Sequence, residues 1–285
     1  MKRKAARVGC GVVSFSQEAL QLLVVTPTLG RSPWLDETVA SVAGLAFPCA
    51  HVLVAPAGVV AELAVRFPRV RVVAEPGGGM YAAINAGLAA VEGWRACTYI
   101  NDDDLLLPRM TEVMAHARTT EARVVYGGVR LINTKGRRIG AIPISPAPSL
   151  NRWLYAQRTE PVFQHGTVIT RAVVERLGAF DETLRFCGDS EFLARACVAG
   201  IPFVCATKSV VAAFRLRAGQ LTKDLPAMLA EHHVVYNKHR LPAERITWRH
   251  RWARLVFRVA NVPVYIERVA RYGFIGFGEQ LARGE

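Results

Sequence analysis

Three consecutive aspartates, Asp102, Asp103 and Asp104, are the residues of this chain whose types and spacing point most directly to chemistry. They follow an apolar run at residues 98–100 that favours a buried strand. Because adjacent carboxylates repel one another, a bound cation would stabilise the triplet. Two interpretations stay open. One is a site for a divalent metal and a phosphate, and the other is a solvated acidic turn before the helix that Pro108 introduces.

Further candidates lie in three short segments. Asp189 and Glu191 stand at the predicted start of a helix, where a carboxylate acts either as a general base or as a cap for that helix. His165 is either a donor in an active site or a structural histidine beside an apolar strand. Glycines 77–79 precede a helix predicted to begin near Met80. Their backbone N–H groups can approach an anion there, but a plain strand-to-helix turn explains them equally well.

The elements that must position these residues alternate along the first half of the chain. Apolar runs predict strands at 22–25, 52–54, 70–74 and 95–100, with amphipathic or short helices between them. Such alternation implies an α/β fold with a mostly parallel sheet and helices on both faces. Ligands of these sheets bind beyond the carboxyl ends of the strands, which is where the aspartates lie.

The second half of the chain predicts a more mixed order of elements. Residues 142–161 are proline-rich and are predicted as a long irregular loop. The predicted elements are, in order, a helix at 108–118, a strand at 124–132 with a hairpin turn at 133–136, helices at 170–177 and 188–199, strands at 203–205 and 210–214, and a helix at 225–236.

Composition limits the class of protein. The 285 residues suit one large α/β domain with an appendage, and the formal net charge of +13 suggests an anionic partner such as a nucleotide, a nucleic acid or an anionic membrane. The six cysteines form no C-x-x-C pair, which favours a reduced, cytoplasmic compartment over a disulfide framework or a zinc site. No apolar run is long enough to predict a membrane-spanning helix.

The two ends of the chain differ from its middle in amino-acid composition. We predict a basic N-terminal tail at residues 1–20, a main domain at 21–240 and a basic helical tail at 241–285. In this last segment arginines alternate with aromatic residues, and Asn261-Val262-Pro263 divides it into two helical pieces. Trp248, Trp252, Leu255 and Val259 follow helical spacing. This stripe predicts peripheral binding to the inner face of an anionic membrane, and packing against the domain is the alternative.

Taken together, the motifs resemble family 2 glycosyltransferases of the GT-A fold over about residues 22–240. The Asn-x-Asp-Asp and Gly-Asp-x-Glu elements are the most specific pair. In chain order the motifs are Thr26-Pro27-Thr28, residues 79–87, Asn101-Asp102-Asp103-Asp104, Tyr126-Gly127-Gly128, Gln164-His165, residues 178–182, Gly188-Asp189-Ser190-Glu191, and residues 215–222. The resemblance implies a GT-A-like, Rossmann-like sheet with a helical C-terminal tail.

The resemblance also implies a role for each matching residue. Asp189 would be the catalytic base, Asp103 would lie near the ribose, and Asp104 would bind Mg²⁺ or Mn²⁺. The other nucleotide-sugar contacts would be Thr26, Pro27, Thr28, Asn85, Asp102 and Arg217. Contacts to the acceptor or the diphosphate would come from His165, Glu191, Arg215 and Gln220.

The implied activity is that of a metal-dependent, inverting hexosyltransferase that moves one sugar from a nucleotide-sugar donor to a glycan or lipid-linked acceptor. No Q-x-x-R-W sequence follows Asp189, which favours single transfer over processive synthesis. The loop at residues 55–58 lacks the carboxylate that relatives usually carry, so an inactive nucleotide- or membrane-binding member of the fold is one alternative.

A nucleotidyltransferase of similar topology is a second alternative, but Leu29-Gly30-Arg31 matches poorly the basic glycine-rich loop that such an enzyme needs. Nucleic-acid binding is disfavoured, because the chain has no recognisable binding module and the acidic triplet would repel phosphates.

Overall fold

A computed structural model describes residues 21–217, 220, 224–239, 241 and 245–273. The predicted N-terminal tail at 1–20 and the end of the C-terminal tail lie outside these residues. The first half of the chain alternates strands and helices as its sequence predicts. Its elements are β1 (Leu22–Pro27), α1 (Leu35–Ala43), β2 (Cys49–Ala55), α2 (Val60–Arg66), β3 (Arg71–Ala74), α3 (Met80–Ala89) and β4 (Ala96–Tyr99).

The second half adds strands to the same sheet and helices to both of its faces. Its elements are β5 (Leu105–Leu106), α4 (Met110–Ala117), β6 (Val124–Ile132), β7 (Arg138–Ile142), α5 (Asn151–Tyr155), β8 (Thr167–Thr170), α6 (Arg171–Leu177), α7 (Gly188–Val198) and β9 (Phe203–Arg215). Three further helices follow, α8 (Leu225–Lys238), α9 (Trp248–Ala260) and α10 (Val262–Tyr272).

The sheet runs in the order β3-β2-β1-β4-β8-β6-β9-β5, and β7 pairs with β6. Among the strands of the described residues, β5, β7 and β8 run antiparallel to their neighbours, and the other six point the same way. The prediction of a mostly parallel sheet is therefore confirmed. Since β1 to β4 are parallel, their carboxyl ends meet at one edge, where the aspartate triplet follows β4.

Both faces of the sheet are buried, which explains the unbroken apolar runs of the strands. In β1, Leu23 and Val25 pack into one hydrophobic cluster, while Leu22 and Val24 pack into the cluster on the other face. This alternation is the period of two that a strand imposes on its side chains. The rigid layer so formed holds the loops at its carboxyl edge in place.

Strand β9 differs from the sequence prediction, which divided it into two strands. Residues 206–209 bulge out where β9 pairs with β6, so the polar residues there do not end the strand. Gly128 makes this possible, because a Cβ atom at its position would lie 2.7 Å from the carbonyl oxygen of Lys208. The predicted irregular loop at 142–161 likewise contains α5, and the strand β8 was not predicted.

The division of the tail into two helices is confirmed, and Asn261 forms the joint between them. Its side-chain amide donates to the carbonyl oxygens of Ile144 (2.9 Å) and Phe257 (2.7 Å), and its Oδ1 accepts from the Ile144 N–H (3.1 Å). The buried face of α9 packs Ala253 and Phe257 against Leu154 of α5. In the described part of the chain, no helix combines the length and apolarity needed to cross a bilayer.

Candidate functional site

The three aspartates after β4 lie in three different environments. Asp104 is completely buried, and both of its carboxylate oxygens accept hydrogen bonds from protein groups. Oδ1 accepts from the Arg215 N–H at 2.7 Å, and Oδ2 accepts from the Asn101 amide at 3.0 Å and contacts Nε2 of His165 at 2.8 Å. Asp104 therefore holds the loop together. The sequence predicts Asp104 as a metal ligand. In the structure, both of its carboxylate oxygens already have protein partners.

Asp103 is buried beside Asp104, whereas Asp102 is half-buried at the open side of the loop. The carboxylate of Asp103 forms an ion pair with Nε of Arg217. Burial and the neighbouring Asp104 raise the pKa of Asp103, and the Arg217 guanidinium opposes that change. Asp102 is half-buried and accepts a 2.6 Å hydrogen bond from Thr28 Oγ1, which joins the loop to the end of β1.

Arg215 is the residue on which the loops at this edge converge. It is fully buried at the end of β9, and its Nε donates to the carbonyl oxygen of Asp103 at 2.7 Å. One terminal nitrogen donates to Glu37 at 2.7 Å, and the guanidinium lies over the Trp34 ring, 5.2 Å from its centroid. With these bonds Arg215 is a structural clamp, whereas the sequence placed it against the acceptor or the diphosphate.

Arg217 lies two residues further along and is less enclosed than Arg215. Its guanidinium is 5.9 Å from the centroid of the Trp34 ring, and its side chain is partly exposed. The Arg217 N–H donates to Oε1 of Gln220 at 3.1 Å, and the Gln220 amide donates to the Arg215 carbonyl oxygen. The structure thus brings Asp102, Asp103 and Arg217 together at the mouth of one loop.

Asp189 lies in the first turn of α7 and does not cap that helix. The N-cap position is Cys187, and it makes no side-chain capping bond. Oδ1 of Asp189 accepts a 3.2 Å hydrogen bond from the Tyr81 hydroxyl, which also donates to the Phe186 carbonyl oxygen. Burial and the Asp189 charge raise the pKa of Tyr81, so this phenol stays a neutral donor. The helix-cap interpretation of Asp189 is therefore not supported by this geometry.

Tyr99 lies between the two acidic parts of the site. Burial raises the pKa of its phenol, and the charges of Asp189 and Asp104 add to the effect. Tyr99 also lines the same small cavity as Asp189. Gln164 binds the Tyr99 carbonyl oxygen through its amide and also lines a small cavity beside Asp189.

The ring of His165 stacks on Phe163 with 5.1 Å between centroids, and this histidine has a structural position under the aspartate loop.

Other predicted site residues hold elements together. Glu191 is buried and contacts Arg195 (3.0 Å), Lys238 (3.3 Å) and His239 (2.8 Å), so it ties α7 to the end of α8. Asn85 bonds to both backbone groups of Phe180. Thr26 is buried and contacts Nε2 of His51 at 3.0 Å, and Pro27 ends β1 at the edge of the site.

Two residues of the site were missed by sequence reasoning. Tyr81 lies within the motif at residues 79–87, but no role was predicted for it, because an aromatic residue in a predicted helix is normally a core residue. Its approach to Asp189 depends on Gly188, where a Cβ atom would lie 2.7 Å from the Tyr81 ring. Glu231 of α8 accepts from the backbone N–H groups of the loop before α7, including those of Phe186 and Cys187 at 2.6 Å.

The residues present do not form a ready metal centre. Asp104 is saturated by protein donors, and Asp103 is paired with Arg217. Within the described residues, no three His, Cys, Asp or Glu side chains are grouped so that they could hold a metal ion. An octahedral divalent cation bound by one oxygen of Asp102 would need about five further ligands, and use of Asp103 as one of them would require displacement of Arg217.

The architecture is that of the GT-A glycosyltransferases. S. aureus TarS 1–349, solved in complex with UDP-GlcNAc, superposes with a TM-score of 0.55 at 15% identity, over 92% of this chain and 78% of that chain. The mannosyltransferase PcManGT from Pyrobaculum calidifontis, solved with GDP-Man and Mn²⁺, gives a TM-score of 0.51 at 16% identity, over 92% and 79% of the two chains. At these identities the likeness establishes the fold.

The sequence profile described as Glycosyl transferase family 2 matches residues 23–178. The chain belongs to this family, as its motifs predict. No curated protein matches the sequence significantly. The matched region contains the aspartate loop and Tyr81, whereas Asp189 and Arg217 lie beyond its end.

Proposed function

We propose that this protein transfers one sugar from a nucleotide-sugar donor to an acceptor hydroxyl, with inversion at the anomeric carbon. The observation that carries the proposal is the position of Asp189. This carboxylate is only half-buried, does not cap its helix and is oriented by the hydroxyl of Tyr81. A carboxylate held in this way at the mouth of a site is suited to general base catalysis.

In the proposed reaction, Asp189 accepts the proton of the acceptor hydroxyl. The hydroxyl oxygen forms a bond to the anomeric carbon of the donor as the bond from that carbon to the diphosphate oxygen breaks. The nucleoside diphosphate leaves with the bonding electron pair. Attack opposite the leaving group inverts the anomeric centre, and a single base suffices because no covalent sugar–enzyme intermediate is formed.

The donor would bind at the carboxyl ends of β1 and β4, beside Asp102 and Arg217. There the guanidinium of Arg217 is partly exposed, and it would bind the diphosphate in exchange for Asp103. The UDP-GlcNAc bound to TarS and the GDP-Man bound to PcManGT support a nucleotide sugar as the donor class. Divalent-metal dependence stays a prediction that the Mn²⁺ of PcManGT supports, and no step of the reaction is assigned to a metal.

The acceptor is proposed to be a glycan or a lipid-linked glycan presented at the cytoplasmic membrane surface. Apolar side chains of the tail helices support this proposal, because Trp248 and Trp252 are 71% and 53% exposed and Leu255 and Val259 continue the same stripe. Arginines flank the stripe on α9, which suits an interface with anionic lipid.

A binding panel and one substitution test the proposed function. UDP, GDP, UDP-GlcNAc and GDP-Man, each with and without Mn²⁺, are added to the purified protein. At least one is expected to raise its melting temperature, because a ligand of the folded state stabilises that state. With the donor identified in this way, Asp189→Asn is expected to lower turnover by roughly 10²–10⁴-fold without weakening donor binding.

The matched control is Glu175→Gln, which removes an exposed ion pair with Arg171 on α6 and should leave turnover unchanged. If the Asp189→Asn protein keeps wild-type turnover, Asp189 is not the base. If nucleotides bind but no variant or wild-type protein transfers a sugar to any acceptor, the protein is an inactive, nucleotide-binding member of the family.

A further inference from the structure

A large cleft opens among residues other than those assigned above to the donor and to the base. Its volume is about 580 Å³, within the range of sites for small molecules. It lies between the segment before β8 and helices α8, α9 and α10. Its walls include Arg158, Phe163, His232, Tyr236, Phe257 and Arg268.

The polar groups of the cleft are mainly cations and hydrogen-bond donors. Arg158 contacts the imidazole of His233 at 3.1 Å and has a φ of 55°, the one positive φ among the non-glycine residues that the structure describes. Such backbone strain is typical of functional sites. The guanidinium of Arg268 lies 5.0 Å from the centroid of the Tyr265 ring. Glu160 is the acidic member of the cleft, and its Oε1 lies 3.5 Å from Nδ1 of His232.

Two of these donors are buried without a hydrogen-bond partner among the described residues. The Tyr236 hydroxyl is one, on a side chain that is only 4% exposed, and Nε of Arg268 is the other. Burying an unpaired donor is unfavourable, so the two donors favour a ligand with acceptor oxygens. Between the donors, the rings of Phe163 and Phe257 provide apolar walls.

The cleft is close to Asp189 and is held to it by α8. Burial raises the pKa of Glu160, and the Asp189 carboxylate raises it further. Helix α8 contributes His232 and Tyr236 to the cleft. Its Glu231 binds the backbone of the loop that leads to Asp189. The wall that α8 contributes to the cleft is therefore linked directly to the segment that carries the proposed base.

We propose that this cleft binds a phosphate or phosphodiester group of the acceptor, with Arg158, Arg268 and the Tyr236 hydroxyl as its donors. Phosphate oxygens suit guanidinium and hydroxyl donors, and the aromatic walls suit the apolar or sugar portion next to the phosphate. The site deepens the proposed function on which it rests, because it assigns an anionic class to the acceptor. Binding at this site needs no turnover and no donor, so it is measured separately.

The test measures binding of farnesyl phosphate, glycerol 3-phosphate and uncharged farnesol to the full chain by isothermal titration calorimetry, without nucleotide. At least one of the two phosphates is expected to bind at least tenfold more tightly than farnesol. Arg268→Gln and Tyr236→Phe are each expected to weaken that binding about tenfold or more. Arg158→Gln, at an exposed side chain, serves as the variant least able to disturb folding. Arg118→Gln, at an exposed side chain after α4 and outside the cleft, is the charge-matched control and is expected to bind normally.

Preference for farnesyl phosphate would identify a lipid phosphate, and preference for glycerol 3-phosphate would identify a phosphate of a glycan or polymer. Both results support the site. Equal binding of farnesol, binding by neither phosphate, or loss of affinity in Arg118→Gln equal to that in the Arg158 and Arg268 variants would overturn it. If the protein binds phosphate in this cleft but binds no nucleotide, the result supports the proposed site and contradicts the proposed transferase function.

Discussion

At the scale of single residues, the three neighbouring aspartates have separate tasks. Asp104 is buried and bonded on both oxygens, Asp103 is paired with Arg217, and Asp102 is joined to Thr28 at the open side. Burial of a carboxylate is tolerated only when its lone pairs are satisfied, and the Arg215 N–H and His165 meet that need for Asp104. The triplet therefore combines a buried anchor, a buried carboxylate paired with Arg217 and a half-buried carboxylate joined to β1.

The first prediction follows from the buried anchor. Asp104→Asn should lower the free energy of unfolding by about 1–3 kcal/mol, because the amide offers one acceptor oxygen where the carboxylate offers two and leaves a donor unpaired. Urea denaturation of purified protein measures this change. Asp102→Asn, at the half-buried position, is the control and should change stability by less than about 1 kcal/mol. Equal stability of the two variants would contradict the anchoring role.

The second prediction concerns the pairing of Asp103 with Arg217. Removal of this guanidinium by Arg217→Ala should tighten Mn²⁺ binding about tenfold, since a hydrogen bond to a charged group contributes about 1.5–3 kcal/mol that the metal must otherwise displace. Calorimetric titration of Mn²⁺ alone measures the affinity. Arg109→Ala removes an exposed arginine near the same loop and should leave Mn²⁺ binding unchanged. Identical Mn²⁺ affinities in the wild type and Arg217→Ala would show that this pair does not limit metal binding.

Residue types and spacing identified the acidic triplet and Asp189 but not the task of each aspartate. Three adjacent carboxylates look alike in sequence, and which one turns inward depends on Arg215 and His165, which are far away along the chain. Asn85 and Glu191 belong to the motifs that carry the family resemblance, and in the structure both tie together segments that border the candidate site.

At the scale of elements, α8 positions the loop that carries the proposed base. The two carboxylate oxygens of Glu231 accept from three consecutive backbone N–H groups, those of Arg185 (2.7 Å), Phe186 (2.6 Å) and Cys187 (2.6 Å). Short bonds to a carboxylate are the strong class of hydrogen bond. The start of α7, and with it Asp189, is thus fixed by a neighbouring helix as well as by Tyr81.

The third prediction tests this support. Glu231→Gln keeps the size of the side chain but replaces one acceptor oxygen with a donor that faces an N–H group. Stability should fall by about 1–3 kcal/mol, and hydrogen exchange at residues 185–190 should accelerate relative to the rest of the chain. Glu175→Gln on α6 is the matched control. Exchange that accelerates uniformly, or not at all, would show that Glu231 does not hold this loop.

Most elements were predictable because their periodicity is strong. The strands buried on both faces gave clear apolar runs, and Gly178 and Gly200, both with positive φ, follow the helices whose ends they were predicted to mark. The failures have a common physical cause. Strand β9 continues through a polar bulge because β6 pairs with it, and β5 is a two-residue strand defined by its partner alone.

At the scale of the whole molecule, the apolar stripe of the tail lies on the outer side of α9 and α10. The inner side of α9 packs on α5, so the exposed position of Trp248 and Trp252 is fixed by the fold. The proposed phosphate cleft borders the same two helices through Phe257, Tyr265 and Arg268. A membrane-bound orientation would therefore place the cleft near the lipid surface.

The fourth prediction is that the full chain sediments with vesicles that contain anionic lipid and not with neutral vesicles. Replacing both tryptophans, Trp248→Ser with Trp252→Ser, should remove most of this binding without loss of stability, because both side chains are exposed. Val65→Ser, at an 83% exposed apolar residue on α2, is the matched control. Unchanged sedimentation of the double variant would contradict the proposed membrane interface. Vesicle binding that does not depend on salt concentration or lipid charge would contradict it as well.

The clamp made by Arg215 has a consequence for the order in which the protein acquires its site during synthesis. The Asp104 carboxylate receives its backbone partner from a residue 111 positions later in the chain. At the usual rates of translation, that interval lasts roughly 6–20 s. Until β9 emerges from the ribosome, the acidic loop that follows β4 lacks Arg215, the residue against which Asp104 is buried. Any nascent chain that stops before residue 215 therefore lacks both the last central strand and the side chain that closes the aspartate loop.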